Sequence, residues 1–177
     1  VRSVDSKGVE LEAVSERLFL CHIPQRSILL VGVYAPTDSG YSSEEKEEFF
    51  VSLQEQVEKA TVEAERRKYE LLVGGDFNCK LNRTEENRGN IGWCTSSTAT
   101  SENGDHVIDL TEACNLRVEN TFYKHKLAQR TSWTHPATKQ RLLLDLFLTQ
   151  KSRCNRISNV KSYPNLDCGL DHELEIG

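Results

Sequence analysis

At 177 residues, with 37% apolar and 28% charged content, the chain is long enough for one substantial core and has ordinary soluble composition. No apolar run approaches the roughly 20 residues that span a bilayer, and no signal-peptide pattern opens the chain, which sets aside a helical membrane protein. A net charge of −5 argues by itself against a nucleic-acid binder, and six cysteines without C-x-x-C spacing argue for free thiols in a reducing compartment rather than a zinc cluster or disulfide framework.

In chain order, Glu10 to Cys21 and Ser27 to Val33 read as adjacent strands joined by a turn at Pro24 to Arg26, the second running on into Tyr34, Ala35 and Pro36. Phe50, Leu53, Val57, Ala60 and Ala64 recur at helical spacing and predict a long amphipathic helix within Glu44 to Glu70, whose nine acids form a solvated face. Leu71 to Asn78, LLVGGDFN, is an apolar strand that runs into two glycines and delivers Asp76 and Asn78 at its carboxyl end. Alternation points those two side chains one way and Phe77 the other. A carboxylate beside an amide at a strand end suits a phosphate oxyanion and a hard metal ion, and it is equally the pattern of an Asx turn.

Lys80 to Ser101 is polar and reads as an irregular surface loop, with Asn103 and Gly104 as the turn before a helix over Asp105 to Cys114. Strands are expected at Arg117 to Phe122, Thr131 to Trp133, Leu142 to Leu148, Val160 to Tyr163 and Glu173 to Ile176. In RLLLDLFL, Asp145 lies inside an apolar run, so it is paired or functional. Asp171 and His172 stand just before the last strand, while His22, His106 and His125 read as surface or structural. Charge is unevenly spread: from Arg117 to Lys161, ten Lys and Arg stand against only Glu119 and Asp145. Such a stretch is a solvated surface or a grip on a phosphate backbone.

The segments VYAPT, GDFN, ENGDHVIDLTEACNLRVENTFYKHK, TSWTHP, LLLDLFL and DCGLDHEL, in that order, resemble the endonuclease/exonuclease/phosphatase family. Within it, the likeness is to endonuclease domains of non-LTR retrotransposons and their domesticated relatives of the craniofacial development protein 2 type, from about Val14 to Ile176. The resemblance implies an α/β fold, a four-layer sandwich of two mixed sheets packed face to face with helices outside, as one domain over residues 1–177 that lacks its N-terminal strands. Periodicity alone supports only a mixed α and β domain.

By the resemblance, Asp76 helps activate the attacking water, Asn78 and Tyr34 bind the scissile phosphate, and His172, oriented by Asp145, stabilises charge developing there. Asp171 and Asp76 would hold Mg²⁺, with Mn²⁺ as an alternative, for hydrolysis without a covalent intermediate. Lys124, Lys126, Arg130, Trp133, Lys139 and Arg141 would face nucleic acid. Trp133 and His135 precede the hairpin that contacts DNA in the retrotransposon enzymes, and a core tryptophan is equally consistent. The implied partners are DNA and a reverse transcriptase domain of a longer polyprotein, with nuclear location for an active element and no membrane.

Three departures stand out. The family's metal-binding glutamate lies on an earlier strand, and Glu10 and Glu12 match a later part of the pattern. Leu146 replaces a tyrosine after the buried aspartate, and Leu170 replaces a serine before Asp171. Three readings follow: a DNA-nicking endonuclease, an RNA nuclease or phosphatase of the same fold, and a non-catalytic remnant or interaction module. The basic stretch favours a polymeric substrate over a small one.

Overall fold

The computed structural model describes residues 2–4, 8–163 and 174–176. β1 (Arg2–Val4), β2 (Glu10–Ala13) and β3 (Leu18–Ile23) form an antiparallel meander, and a 3-10 turn at Pro24–Arg26 leads into β4 (Ile28–Tyr34). The expected strand from Glu10 to Cys21 is therefore two. Val14 and Ser15 both donate their N–H to the Leu18 carbonyl, and the Ser15 hydroxyl accepts from the N–H groups of Arg17 and Leu18, closing a tight turn. Side-chain alternation resumes on the far side of such a turn, so the pattern alone does not show the reversal.

The long helix forms as its spacing predicts. α1 (Ser43–Arg67) begins with a capping box in which the Ser42 hydroxyl takes the Glu45 N–H and the Glu45 carboxylate takes the Ser42 N–H. It stops at Lys68, held left-handed at φ 60°. Phe50, Leu53, Val57, Ala60 and Ala64 are all buried. They pack on one face of β4 and β5 (Glu70–Asp76), which run parallel to each other.

α2 (Glu102–Ala113), β6 (Leu116–Val118), β7 (Trp133–Thr134), β8 (Arg141–Leu142), β9 (Asp145–Gln150), β10 (Lys161–Tyr163) and β11 (Leu174–Ile176) complete the described chain. Seven strands make one mixed sheet in the order β1-β2-β3-β4-β5-β9-β6, while β7–β8 and β10–β11 are two-stranded antiparallel ribbons. The class is α/β, as expected. Leu29, Val31, Val33, Leu71, Val73, Leu146 and Leu148 share the helix-covered face of the sheet and are buried. Each such side chain contributes roughly 1.5–3 kcal/mol by leaving water.

Two more expected strands are interrupted. Arg117 to Phe122 is strand only to Val118, beyond which Glu119–Phe122 coils into a 3-10 turn with Thr121 Oγ1 donating to the Val118 carbonyl. Leu142 to Leu148 breaks at Leu143 and Leu144, whose N–H groups go to the hydroxyls of Ser96 and Ser132 at 2.9 and 3.0 Å instead of to a strand. The loop from Lys80 to Ser101 is irregular, but it is not all surface: Leu81, Asn87, Asn90, Ile91 and Cys94 are buried. No helix among the described residues is long and apolar enough to cross a membrane.

Candidate active-site cleft

The sheet register brings three of the expected residues side by side. Tyr34 on β4 is the Cα partner of Asp76 on β5, and Asp76 is the Cα partner of Asp145 on β9. Partners across a ladder point to the same face, here the one turned away from α1. All three line an open cleft of about 720 Å³, together with Asn78 and Lys80 from the turn after β5, Asp38 and Ser39 from the turn after β4, and Trp133 and His135 from β7 and its end.

Local backbone chemistry explains how Asp76 comes to be there. Gly75 sits at φ +142°, and a Cβ on it would lie 2.0 Å from the Val33 carbonyl oxygen, so only glycine lets β5 meet β4 at this point. Strand alternation ends at Asp76. Phe77 turns the opposite way into full burial, as the pattern predicts, but Asn78 reaches the cleft by a left-handed turn at φ 46° rather than by continued strand. The Asn78 N–H donates to Asp76 Oδ1 at 2.8 Å, which is an Asx turn. The turn reading of D-x-N is thus realised, and the turn is the device that presents the carboxylate to the cleft.

The two turns that carry the site are tied together. Ala35 N–H donates to the Asp76 carbonyl at 2.8 Å, and Asn78 Nδ2 donates to the Ala35 carbonyl at 2.9 Å, which leaves its second amide hydrogen for a ligand. Asn103 then pins both. It lies in the first turn of α2, is fully buried, and its Nδ2 reaches the carbonyls of Pro36, Phe77 and Asn78 at 2.7, 3.3 and 3.2 Å. The expectation that Asn103 and Gly104 merely start a helix is corrected here. A Cβ on Gly104 would stand 2.2 Å from the Lys80 carbonyl oxygen, so the pair lets α2 dock against the turn carrying Asp76.

Asp38, Lys46 and Arg17 also escape a reading by motif. Asp38 lines the cleft, and its Oδ1 accepts the Asn103 N–H at 3.3 Å. Lys46, nearly fully buried, donates to the Asp38 carbonyl and pairs with Glu102, holding that carboxyl below its ordinary range. The Arg17 guanidinium lies 5.2 Å from the Tyr34 ring centre and donates to the Tyr34 carbonyl at 3.3 Å. The only signal for these contacts is proximity in the fold.

Below the cleft, the fully buried Cys79 thiol is pushed well above its ordinary pKa, first by burial and then by the negative charge of Asp38, Asp76 and Asp145. That field, with all-oxygen donors, suits a hard cation. Among the described residues, however, no three His, Cys, Asp or Glu side chains are grouped to hold a metal ion. Of the two carboxylates expected to hold Mg²⁺, Asp76 lines the cleft, while Asp171 lies outside the described residues with His172, as does the expected Asp145–His172 contact.

Of the residues expected to face nucleic acid, Trp133 lines the cleft. Lys124, Lys126 and Lys139 are exposed away from it, the last at φ 59° near the end of the β7–β8 turn, and Arg130 is half-buried. Arg141 bends back to Thr131 Oγ1 at 3.0 Å and the Ala128 carbonyl at 3.3 Å. Elsewhere in the basic stretch charge is spent internally: Arg117 forks onto the buried Glu119 at 2.8 and 2.7 Å, and Arg153 and Arg156 pair with Glu70.

The fold is thus a seven-stranded mixed sheet with helices on one face and this cleft at its strand ends. Solved structures share it: the 3′-5′ exonuclease NExo from Neisseria meningitidis matches 89% of this chain and 62% of its own at a TM-score of 0.62 and 15% identity. The AP endonuclease LMAP from Leishmania major matches 91% of this chain and 54% of its own at a TM-score of 0.57 and 14% identity. In sequence, craniofacial development protein 2 of Bos taurus and of Tragulus javanicus are each 27% identical over 158 residues, 85% of this chain. The chain spans about a quarter of the length of those relatives, 24% and 25%. No family model matches the chain.

Proposed function

We propose that this chain is a phosphodiester hydrolase domain of the DNA-nicking, retrotransposon type. The observation that carries the reading is the lateral register of Tyr34, Asp76 and Asp145 on three adjacent strands, with Asn78 turned into the same cleft. A phosphodiester placed there would accept from the Tyr34 hydroxyl and the remaining Asn78 amide hydrogen. Asp76 would orient an attacking water and accept its proton. Mg²⁺, or Mn²⁺ in its place, held by Asp76 with Asp171, would supply charge neutralisation at the phosphate and a more acidic bound water. Lys124, Lys126, Arg130, Lys139 and Arg141 would hold phosphates outside the cleft without reading sequence, with Trp133 at its edge. DNA as substrate is supported by the related fold of a Neisseria 3′ phosphatase bound to a product DNA hairpin, with a TM-score of 0.61 and 13% identity. A reverse transcriptase domain in a longer polyprotein and nuclear action complete the proposal.

A second reading, an inert module of the same fold, is favoured by Leu146 and Leu170, which stand where the resembled pattern has a tyrosine and a serine. Nicking of supercoiled plasmid separates the two. The hydrolase reading expects Mg²⁺-dependent relaxation that EDTA stops and that Asp76→Ala or Asp145→Ala abolishes. Duplex binding without cleavage by the unaltered protein would establish the inert module instead.

A further inference from the structure

We infer that His135 is a phosphate-positioning residue of the cleft, a fixed N–H donor to a non-bridging phosphodiester oxygen; the inference rests on the phosphodiester reading above. His135 ends the β7 side of the ribbon and closes its turn, with its N–H on the Gln140 carbonyl at 2.8 Å and its carbonyl taking the Lys139 N–H at 2.9 Å. Within that turn, Nδ1 accepts the backbone N–H groups of Ala137 and Thr138, each at 3.1 Å. A ring nitrogen that accepts two amide hydrogens presents its lone pair, so in the neutral ring the proton sits on Nε2. Trp133 meets the ring edge-on, with centroids 5.4 Å apart and planes at 75°, and limits its rotation.

The orientation is more than a turn cap requires. Asparagine or serine would cap the same amides, and neither would add a second polar edge. The imidazole lines the same cleft as Asp38, Asp76 and Asp145. A ligand satisfying both kinds of group presents acceptor oxygens to the donors and meets the carboxylates through a cation. A phosphodiester with a divalent ion has that form; a peptide or a neutral sugar does not.

The test uses nitrogen-15 NMR of the histidine rings in the full chain, with thymidylyl-thymidine and Mg²⁺ as the probe. The expected result is an Nε2–H tautomer for His135 and a shift of that Nε2 as the dinucleotide is added. His135→Asn keeps the turn cap and removes the donor. It should leave the melting temperature unchanged and weaken dinucleotide binding about tenfold, the effect of one lost hydrogen bond to a charged acceptor. An Nδ1–H tautomer, or a dinucleotide that shifts the Asn78 amide while His135 Nε2 stays put, overturns the inference and leaves the hydrolase reading standing. No shift anywhere in the cleft overturns both.

Discussion

Asp76 and Asp145 stand directly opposite one another on neighbouring antiparallel strands, two carboxylates at matched register positions. Like charges so placed cost a sheet roughly 0.2–1 kcal/mol, and stability alone would favour an opposite pair. Asp145→Asn should therefore raise stability by about 0.5 kcal/mol in the absence of divalent ions, within that range. Urea melts in EDTA check this, and an unchanged or lower midpoint would show that the repulsion is already offset in the folded chain.

The same acidity gives a metal-linked prediction. Any ion that binds only the folded state stabilises it, by about 1.4 kcal/mol at ten times its dissociation constant. Mg²⁺ should raise the melting temperature of the unaltered chain and leave Asp76→Asn unmoved. An equal rise in both would place the ion elsewhere.

Asn103 should be among the most sensitive positions outside the cleft. Asn103→Ala removes the donor from three carbonyl groups, those of buried Pro36 and Phe77 and of half-buried Asn78, a loss of roughly 1–3 kcal/mol. Asn103→Asp should cost more, because it turns a carboxylate toward the same oxygens. Thermal denaturation of the two variants gives the order, and an Asp variant more stable than the Ala variant would contradict the donor role.

Alkaline stability carries a signature of Cys114, whose thiol is raised from 9.0 to about 11, by burial first and by Glu58 second. A group with a folded pKa above its unfolded value contributes fully below the unfolded value and loses that contribution as pH rises through the folded one. The chain should therefore lose stability between about pH 9 and pH 11, and Cys114→Ala should flatten the fall. Chemical denaturation at several pH values measures both slopes.

How far the sequence discloses this molecule depends on the kind of signal. α1 is legible because Phe50, Leu53, Val57, Ala60 and Ala64 repeat with the helix period. The cleft residues Tyr34, Asp76 and Asp145 are legible because each ends or begins an apolar strand. The reversal at Ser15 is not, since period-two alternation has the same appearance on both sides of a hairpin. Nor is the break at Leu143 and Leu144, where serines distant in sequence take the N–H groups that a strand would use. Asn103, Asp38 and Lys46 lie beyond any local pattern, because their roles exist only once α2 meets the turns after β4 and β5.

Ser132 immediately precedes the β7–β8 ribbon, and its hydroxyl accepts the N–H of Asp145 as well as that of Leu144, each at 3.0 Å. The ribbon and the carboxylate are in this way geared to a single side chain. An outward displacement of the ribbon would drag the start of β9 with it and move Asp145 relative to Asp76. The spacing of the two acids is thus tied to the position of the ribbon through one hydroxyl.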